Sequence, residues 1–325
     1  MTLTILLTGK TGQIGSHLYP LLGNLGEVVA PDRNQLDLSN ADAIRRVVRD
    51  LRPSLIVNAA ACTAVDAAET DEGSAYTINA SAPAALADEA KKISAGIVHY
   101  STDYVFDGLK TIPYVESDAT NPINAYGRTK LAGEKAVRDS GASHLIFRTS
   151  WVYSTRGRNF MLTILRLASE REELRIVRNQ VGAPTCAADV AAATTRVLTY
   201  ILRRNNYPSV ISEASGIYHM TAAGQASWYD FATAILEEAQ AVSSSPSWFI
   251  AATHGRSLIA KRVVPISTEE FRSPAARPAY SVLSNSLLAQ RFGVVLPNWR
   301  HQLQGCFDPG GHYVRRSKEP DDVRA

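Results

Sequence analysis

The sequence predicts an α/β protein, a doubly wound parallel sheet carrying a smaller C-terminal α/β domain. Three observations carry that prediction. Apolar strand-like runs alternate with helical runs from Leu3 to Ser150, the pattern of a parallel sheet covered on both faces. The first run passes directly into Thr8-Gly9-Lys10-Thr11-Gly12-Gln13-Ile14-Gly15 and then into a helix. After Trp151 the alternation loosens into shorter, irregular elements.

The totals agree with this class. A chain of 325 residues, 45% hydrophobic and 20% charged, has room for two domains and a large core. A net charge of +3 is too small to argue for nucleic acid or an anionic membrane as a partner. Cys62, Cys186 and Cys306 are far apart, fitting no disulfide framework and no zinc spacing. The chain enters Leu3-Thr4-Ile5-Leu6-Leu7 without the basic segment of a signal peptide. No apolar run reaches the ~20 residues of a membrane span. A cytoplasmic protein is expected.

Taken in order, Leu3 to Leu7 is a buried strand, and the glycine turn after it opens a helix to about Leu22. Strand, glycine-rich turn and helix begin a Rossmann-like dinucleotide-binding unit. Gly9 and Gly12 let the backbone approach a pyrophosphate, and the helix N-terminus offers free N–H groups to it. A P-loop is excluded because its first glycine would fall at Thr4. Glu27 to Asp32 is the second strand. Asp32 lies about twenty residues past Gly12, where an acidic residue meets the adenosine ribose, and Arg33 beside it suits a 2′-phosphate. Asp37-Leu38 leads into a helix over Ala41 to Leu51, with Asp37 or Ser39 as its cap or, equally, as an adenine contact. Ser54 to Ala61 is a third strand whose small terminal residues leave room for a flat ligand or for close helix packing. A helix through Tyr76 to Lys92 follows. The next strand, Ile97 to Phe106, ends in polar residues and leads through a long loop to a helix running from about Tyr126 to Arg138. His144 to Ser150 is a further strand.

Beyond Trp151 the expected elements are a helix over Asn159 to Arg171, a strand at Leu174-Val177, a turn at Gly182-Ala183-Pro184-Thr185 and an alanine-rich helix from Ala187 to Arg203. A strand at Gly216-Met220 and a helix from Trp228 to Ala239 follow. The expected division places a dinucleotide-binding domain at 1–153 with a returning segment at about 183–222. A substrate domain takes about 154–182 and 223–305, and 308–325 is a flexible tail.

The chemistry concentrates at Thr102, Tyr126 and Lys130. Residues four apart share a helix face, so Tyr126 and Lys130 point the same way. A free tyrosine, with a pKa near ~10, is a poor proton donor at neutral pH, and an ammonium beside it favours the phenolate. Bringing it to about 7 takes roughly 4 kcal/mol. Thr102, at the carboxyl end of its strand, is placed to hydrogen-bond the same reacting oxygen.

These residues carry a resemblance. Gly9-Lys10-Thr11-Gly12-Gln13-Ile14-Gly15, Val57-Asn58-Ala59-Ala60-Ala61 and Ser101-Thr102-Asp103-Tyr104-Val105-Phe106 are joined by Tyr126-Gly127-Arg128-Thr129-Lys130, Arg148-Thr149-Ser150-Trp151-Val152-Tyr153, Gly182-Ala183-Pro184-Thr185 and Arg277-Pro278. Over about residues 1–300 the chain resembles the extended short-chain dehydrogenase/reductases, and among them the dTDP-4-dehydrorhamnose reductase family. The resemblance implies reduction of a dTDP-4-keto sugar at C4 by NADPH or NADH, with a lean to NADPH. It implies Tyr126 as proton donor, Lys130 as the residue that tunes it and holds the nicotinamide ribose, and Thr102 at the carbonyl. Asp103 and Trp151 are implied substrate contacts. Gly9, Gly12, Gln13, Ile14, Asp32, Arg33, Asp37, Leu38, Ala61, Cys62, Thr63 and Tyr100 are expected around the cofactor, Cys62 through its backbone. A dehydratase would want an Asp-Glu pair after the threonine, and here Asp103-Tyr104 follows. An epimerase of another nucleotide sugar and a non-catalytic nucleotide-binding subunit are the alternatives. Some members of the family are dimers bridged by Mg²⁺ on acidic side chains. The matching positions here are His17, Ala188 and, nearest, Asp308, a poor set for a cation that demands oxygen ligands. No metal is expected, and the chain is expected as a monomer or a metal-independent homodimer.

Overall fold

The computed structural model describes residues 3–203, 209–242 and 246–308. From residue 309 the expected tail lies outside them. Six strands form one parallel sheet: β1 (Thr4–Thr8), β2 (Glu27–Val29), β3 (Leu55–Asn58), β4 (Gly96–Thr102), β5 (Ser143–Thr149) and β6 (Gly216–His219). Their order is β2-β1-β3-β4-β5-β6, all neighbours parallel. The order reverses between β1 and β3, which opens a crevice at their carboxyl ends, the usual ligand site of such a sheet.

Alternation along the strands builds a core on each face. Ile5, Leu7, Val57, Val98 and Leu145 pack on one side with Leu18 and Leu22 of α1 (Gln13–Leu22) and with residues Val190 and Val197. Leu6, Ile56, Ile97 and Ile146 pack on the other against Ile44 and Val48 of α2 (Ala41–Leu51), Leu86 of α3 (Ala82–Lys92) and Val137 of α4 (Ala125–Asp139). A separate core gathers Met161, Ile164 and Leu165 of α5 (Phe160–Ala168), and its neighbour α6 (Ala187–Leu202) returns to the sheet. Phe231 and Ile235 of α7 (Trp228–Ala241) and Trp299, Leu303 and Phe307 of α8 (Trp299–Phe307) complete that second core. Leu288, Phe292, Val294 and Leu296, placed by sequence with the substrate region, pack on the sheet instead.

Local chemistry moves several boundaries. The strand expected to Phe106 ends at Thr102, because the Thr102 hydroxyl caps a 3₁₀ turn over Asp103–Val105 by accepting from the Tyr104 amide. The helix expected over Tyr76–Lys92 is a π turn, Thr77–Ser81, followed by α3. α2 is capped by Asn40, which accepts from the amides of Asp42 and Ala43, rather than by Asp37 or Ser39.

Candidate active site

The glycine turn between β1 and α1 stands at the crevice. Gly9 has φ +71°, and a Cβ there would lie 2.6 Å from the Ala60 amide nitrogen. Only glycine therefore lets this turn sit against the end of β3. Gly12 is the N-cap of α1 and supplies no side-chain cap, so the first-turn N–H groups stay open to an anion. This cradle fits a pyrophosphate. The Gln13 side chain reaches away from it, its oxygen accepting from Asn159 at 2.9 Å. Ile14 packs against the sheet core.

Past β2, Asp32 is exposed and its carboxylate accepts from the amides of Asn34 (2.9 Å) and Gln35 (3.0 Å), forming a turn. Arg33 beside it is exposed. Asp37 accepts from the Ser39 amide, which holds its carboxyl below the usual range, and Leu38 packs against α2's core. Beyond β3, Ala61 and Thr63 are exposed and Cys62 is half-buried. Asn79, on the π turn, clamps this loop. It accepts from the Cys62 amide and donates to the Cys62 carbonyl, both at 2.9 Å, and reaches Thr129 of α4 at 3.1 Å. The Cys62 backbone is thus held from behind while its side chain takes no part in the clamp. A π turn at such a point is a common device of functional sites. Sequence reasoning missed Asn79, whose only signal was a polar residue in an otherwise apolar stretch.

Lys130 is 2% exposed, and its ammonium donates to the Tyr100 carbonyl at 2.6 Å and lies 3.4 Å from His99 Nε2. The expected direct tuning of Tyr126 by this ammonium is not the arrangement seen. A row of buried polar residues runs behind it across three strands, in register: Thr8 beside Asn58, and Asn58 beside His99. Thr8 donates to Asn58 at 2.6 Å, and Asn58 meets His99 Nδ1 at 3.1 Å. Burial lowers the Lys130 pKa to about 8, with the Glu134 charge opposing. Glu134 itself forms a buried two-point pair with Arg148 of β5, at 2.9 and 2.7 Å, which ties α4 to the sheet. Tyr100 turns its ring away, its hydroxyl meeting Thr194 of α6 at 2.6 Å. Its place in the site is its carbonyl.

Burial pushes the Tyr126 phenol above its ordinary pKa, hydrogen bonding with Thr102 opposes the rise, and the charges of Asp103 and Cys62 add to it. At neutral pH the phenol holds its proton, the form a reduction consumes. Thr102 donates to Asp103 at 3.0 Å. Asp103, expected as a sugar contact, is 2% exposed and also accepts from Ser150 at 3.1 Å and Ser281 at 2.5 Å. Its carboxylate therefore positions Thr102 rather than facing a ligand. Burial raises it to about 6, against those three hydrogen bonds.

Ser281 belongs to a strap that closes on the site. Arg277 pairs with Asp66 at 2.8 Å, Asn124 donates to the Ala276 carbonyl at 2.8 Å, and Gly108, at φ +82°, makes room for Pro278. Trp151, at φ +46°, stacks on Trp228 with ring centres 3.5 Å apart. A Cβ at Gly182 would lie 2.5 Å from its indole. Trp151 thus packs in the joint between the two cores, and its buried indole nitrogen is without a hydrogen-bond partner.

The match to known proteins follows this geometry along nearly the whole chain. The family model described as the RmlD substrate binding domain matches residues 3–311. A curated dTDP-4-dehydrorhamnose reductase of Burkholderia thailandensis is 47% identical over 302 residues, covering 93% of this chain and 97% of the relative. This chain belongs to the dTDP-4-dehydrorhamnose reductase family. The Escherichia coli K12 reductase is 43% identical, covering 92% of this chain and 95% of its own length. Among solved structures, the Bacillus anthracis dTDP-4-dehydrorhamnose reductase in complex with NADP has a TM-score of 0.82 at 33% identity, covering 95% of this chain and 100% of its own. Among the described residues no group of three or more His, Cys, Asp and Glu could hold a metal ion. His17 meets Ser154 at 3.2 Å, and burial and the Arg156 charge lower its pKa.

Proposed function

We propose that this chain catalyses NAD(P)H-dependent reduction of the C4 keto group of dTDP-4-dehydro-6-deoxy-L-mannose, giving dTDP-L-rhamnose. The observation that carries the reading is that Tyr126 of α4 packs edge-on against Tyr104, two residues past Thr102 at the carboxyl end of β4, within a chain so similar to curated reductases. Gly9, Gly12 and the first turn of α1 hold the pyrophosphate, Asp32, Arg33, Asp37 and Leu38 surround the adenosine, and Ala61, Cys62 and Thr63 line the middle of the cofactor. When bound, the cofactor supplies the hydride to C4.

The chain's own residues handle the proton. Tyr126 donates its phenolic proton to the keto oxygen as charge develops there. Thr102 swings its hydroxyl from Asp103 to that oxygen, a rotation a hydroxyl makes readily. The phenolate left behind in a buried site would be costly, and the Lys130 charge, held on the Tyr100 carbonyl, offsets part of that cost through space rather than by direct contact. Tyr100 and His99 keep Lys130 in place.

NADPH is the preferred cofactor, because the Asp32 carboxylate is engaged in its own turn while Arg33 is exposed. We place the dinucleotide domain at 1–153 and about 183–222, and the substrate domain at about 154–182 and 223–305 with its 288–296 segment on the sheet. The reaction needs soluble nucleotide-sugar chemistry, and among the described residues no helix is long and apolar enough to cross a membrane. A cytoplasmic monomer or metal-independent dimer fits. The test is NADPH oxidation with the dTDP-4-keto sugar beside its UDP counterpart: turnover of neither overturns the reading, and preference for the UDP sugar overturns the substrate.

A further inference from the structure

Two cysteines that sequence spacing keeps apart meet in the second core. Cys186 Sγ lies 3.8 Å from Cys306 Sγ, although the two are 120 positions apart in the chain. They are 5% and 9% exposed. The approach is built by the fold rather than left to side-chain freedom. Cys186 is the N-cap of α6, and its amide donates to Gln302 Oε1 at 2.8 Å. Gln302 is in turn held by the Pro297 carbonyl at 2.9 Å. Gln302 and Cys306 are four apart on α8, so they share a face, and the same face that bonds the Cys186 backbone delivers the Cys306 thiol to its side chain.

We propose that Cys186 and Cys306 form a redox-responsive dithiol that closes to a disulfide on exposure to hydrogen peroxide, stapling α8 to the head of α6. The two thiols are unequal. Either sulfur can donate to the other. The bond to Cys306 and those from the Ala188 and Asp189 amides lower the Cys186 pKa against burial and the Asp189 charge, and the same thiol pairing and burial raise Cys306. The groups facing the pair are Asp189, whose side chain bonds Cys186, and Tyr153, a buried phenol. Cys186 sits at the N-cap of α6, where helix N–H groups favour a thiolate, so it is the attacking sulfur and Cys306 the resolving one. The Cys186 thiolate attacks one peroxide oxygen, breaking the O–O bond and giving a sulfenic acid and hydroxide. The Cys306 sulfur then attacks the Cys186 sulfur, and the S–O bond breaks to release water once the Cys306 proton has moved to the leaving oxygen. Two thiols are oxidised by two electrons and one peroxide is reduced to two waters. In a reducing compartment such a pair rests as thiols and closes only transiently.

The experiment treats the folded full-length chain with hydrogen peroxide, blocks free thiols with an alkylating agent in denaturant, and maps the peptides. Two of the three thiols are expected to disappear, with Cys186 and Cys306 in one cross-linked peptide lighter by two hydrogens and separated again by dithiothreitol. The oxidised chain is expected to unfold at a higher temperature, because the link closes a long loop. Cys306→Ser should leave a Cys186 sulfenic acid that dimedone traps, whereas Cys186→Ser should leave Cys306 as a thiol at the same peroxide dose. Survival of both thiols, a link that forms only in denaturant, or oxidation confined to Cys62 overturns the proposal. Trapping of a sulfenic acid on Cys306 in Cys186→Ser overturns the division of roles.

Discussion

Ser281 donates its hydroxyl to the Asp103 carboxylate at 2.5 Å, across 178 residues of chain. The contact brings the C-terminal strap onto the residue that orients Thr102, so Ser281 and Thr102 share one carboxylate. Burial raises Asp103 to about 6, above the 3.8 of a free aspartate. The folded state therefore binds this proton more tightly than the unfolded state. The contribution to stability is full below about pH 4 and is lost as pH rises through about 6. The difference corresponds to roughly 2–3 kcal/mol. Urea denaturation of Asp103→Asn between pH 4 and 7 should lack this component, and a slope equal to that of the parent would show that Asp103 does not titrate there.

Tyr126→Phe removes one hydroxyl and leaves the cofactor cradle intact. General acid catalysis contributes roughly 10²–10⁴ in rate, and turnover should fall by that order while the chain still binds NADPH. Near-parental turnover would remove Tyr126 from the chemistry.

Lys130, with its pKa lowered to about 8 by burial, loses its charge as pH rises through that value. The phenolate formed at Tyr126 then has no cation to offset it, so kcat should decline above about pH 8. Stability moves the other way: the unfolded lysine binds its proton more tightly, so this group's penalty is relieved as pH rises from 8 toward 10.5. His99→Leu leaves Asn58 without one buried partner, costing about 1–3 kcal/mol. It also frees Lys130 to shift, which should lower kcat about tenfold, or ~1.4 kcal/mol. A parental kcat and pH profile in that variant would make His99 a packing residue alone.

The proposed preference for NADPH assigns the 2′-phosphate to Arg33. Arg33→Ala should reduce kcat/KM for NADPH while leaving NADH within a few-fold. A parental preference for NADH above about tenfold, ~1.4 kcal/mol, would mean that Arg33 points away from the cofactor.

Among the described residues no group of three or more His, Cys, Asp and Glu could hold a metal ion. Turnover and particle size, followed by an NADPH assay and light scattering, should be unchanged by EDTA. Dissociation of a dimer or loss of turnover on chelation would show that other oxygen ligands hold an ion.

The glycine turn, Tyr126, Lys130 and the main strands were legible because their signals are local. A φ of +71° at Gly9, a four-residue helical spacing and a run of buried apolar side chains are each written within a few neighbouring residues. Asn58 and His99 lay inside readable strands, but their bond depends on β3 and β4 pairing in one register. Trp151 stacks on Trp228, 77 positions further along the chain, a contact no local pattern announces.

By itself the sequence determined the alternating architecture, the glycine turn at the head of the first helix and the shared helix face of Tyr126 and Lys130, because chain geometry and side-chain chemistry suffice for these. Tertiary structure decided what each polar group is bonded to. It turned Asp103 inward to Ser150 and Ser281, laid the Lys130 ammonium on the Tyr100 carbonyl rather than on Tyr126, and brought Cys186 to Cys306. A buried polar group must find a partner wherever packing places one. Those partners come from distant segments, and only the folded chain brings the segments together.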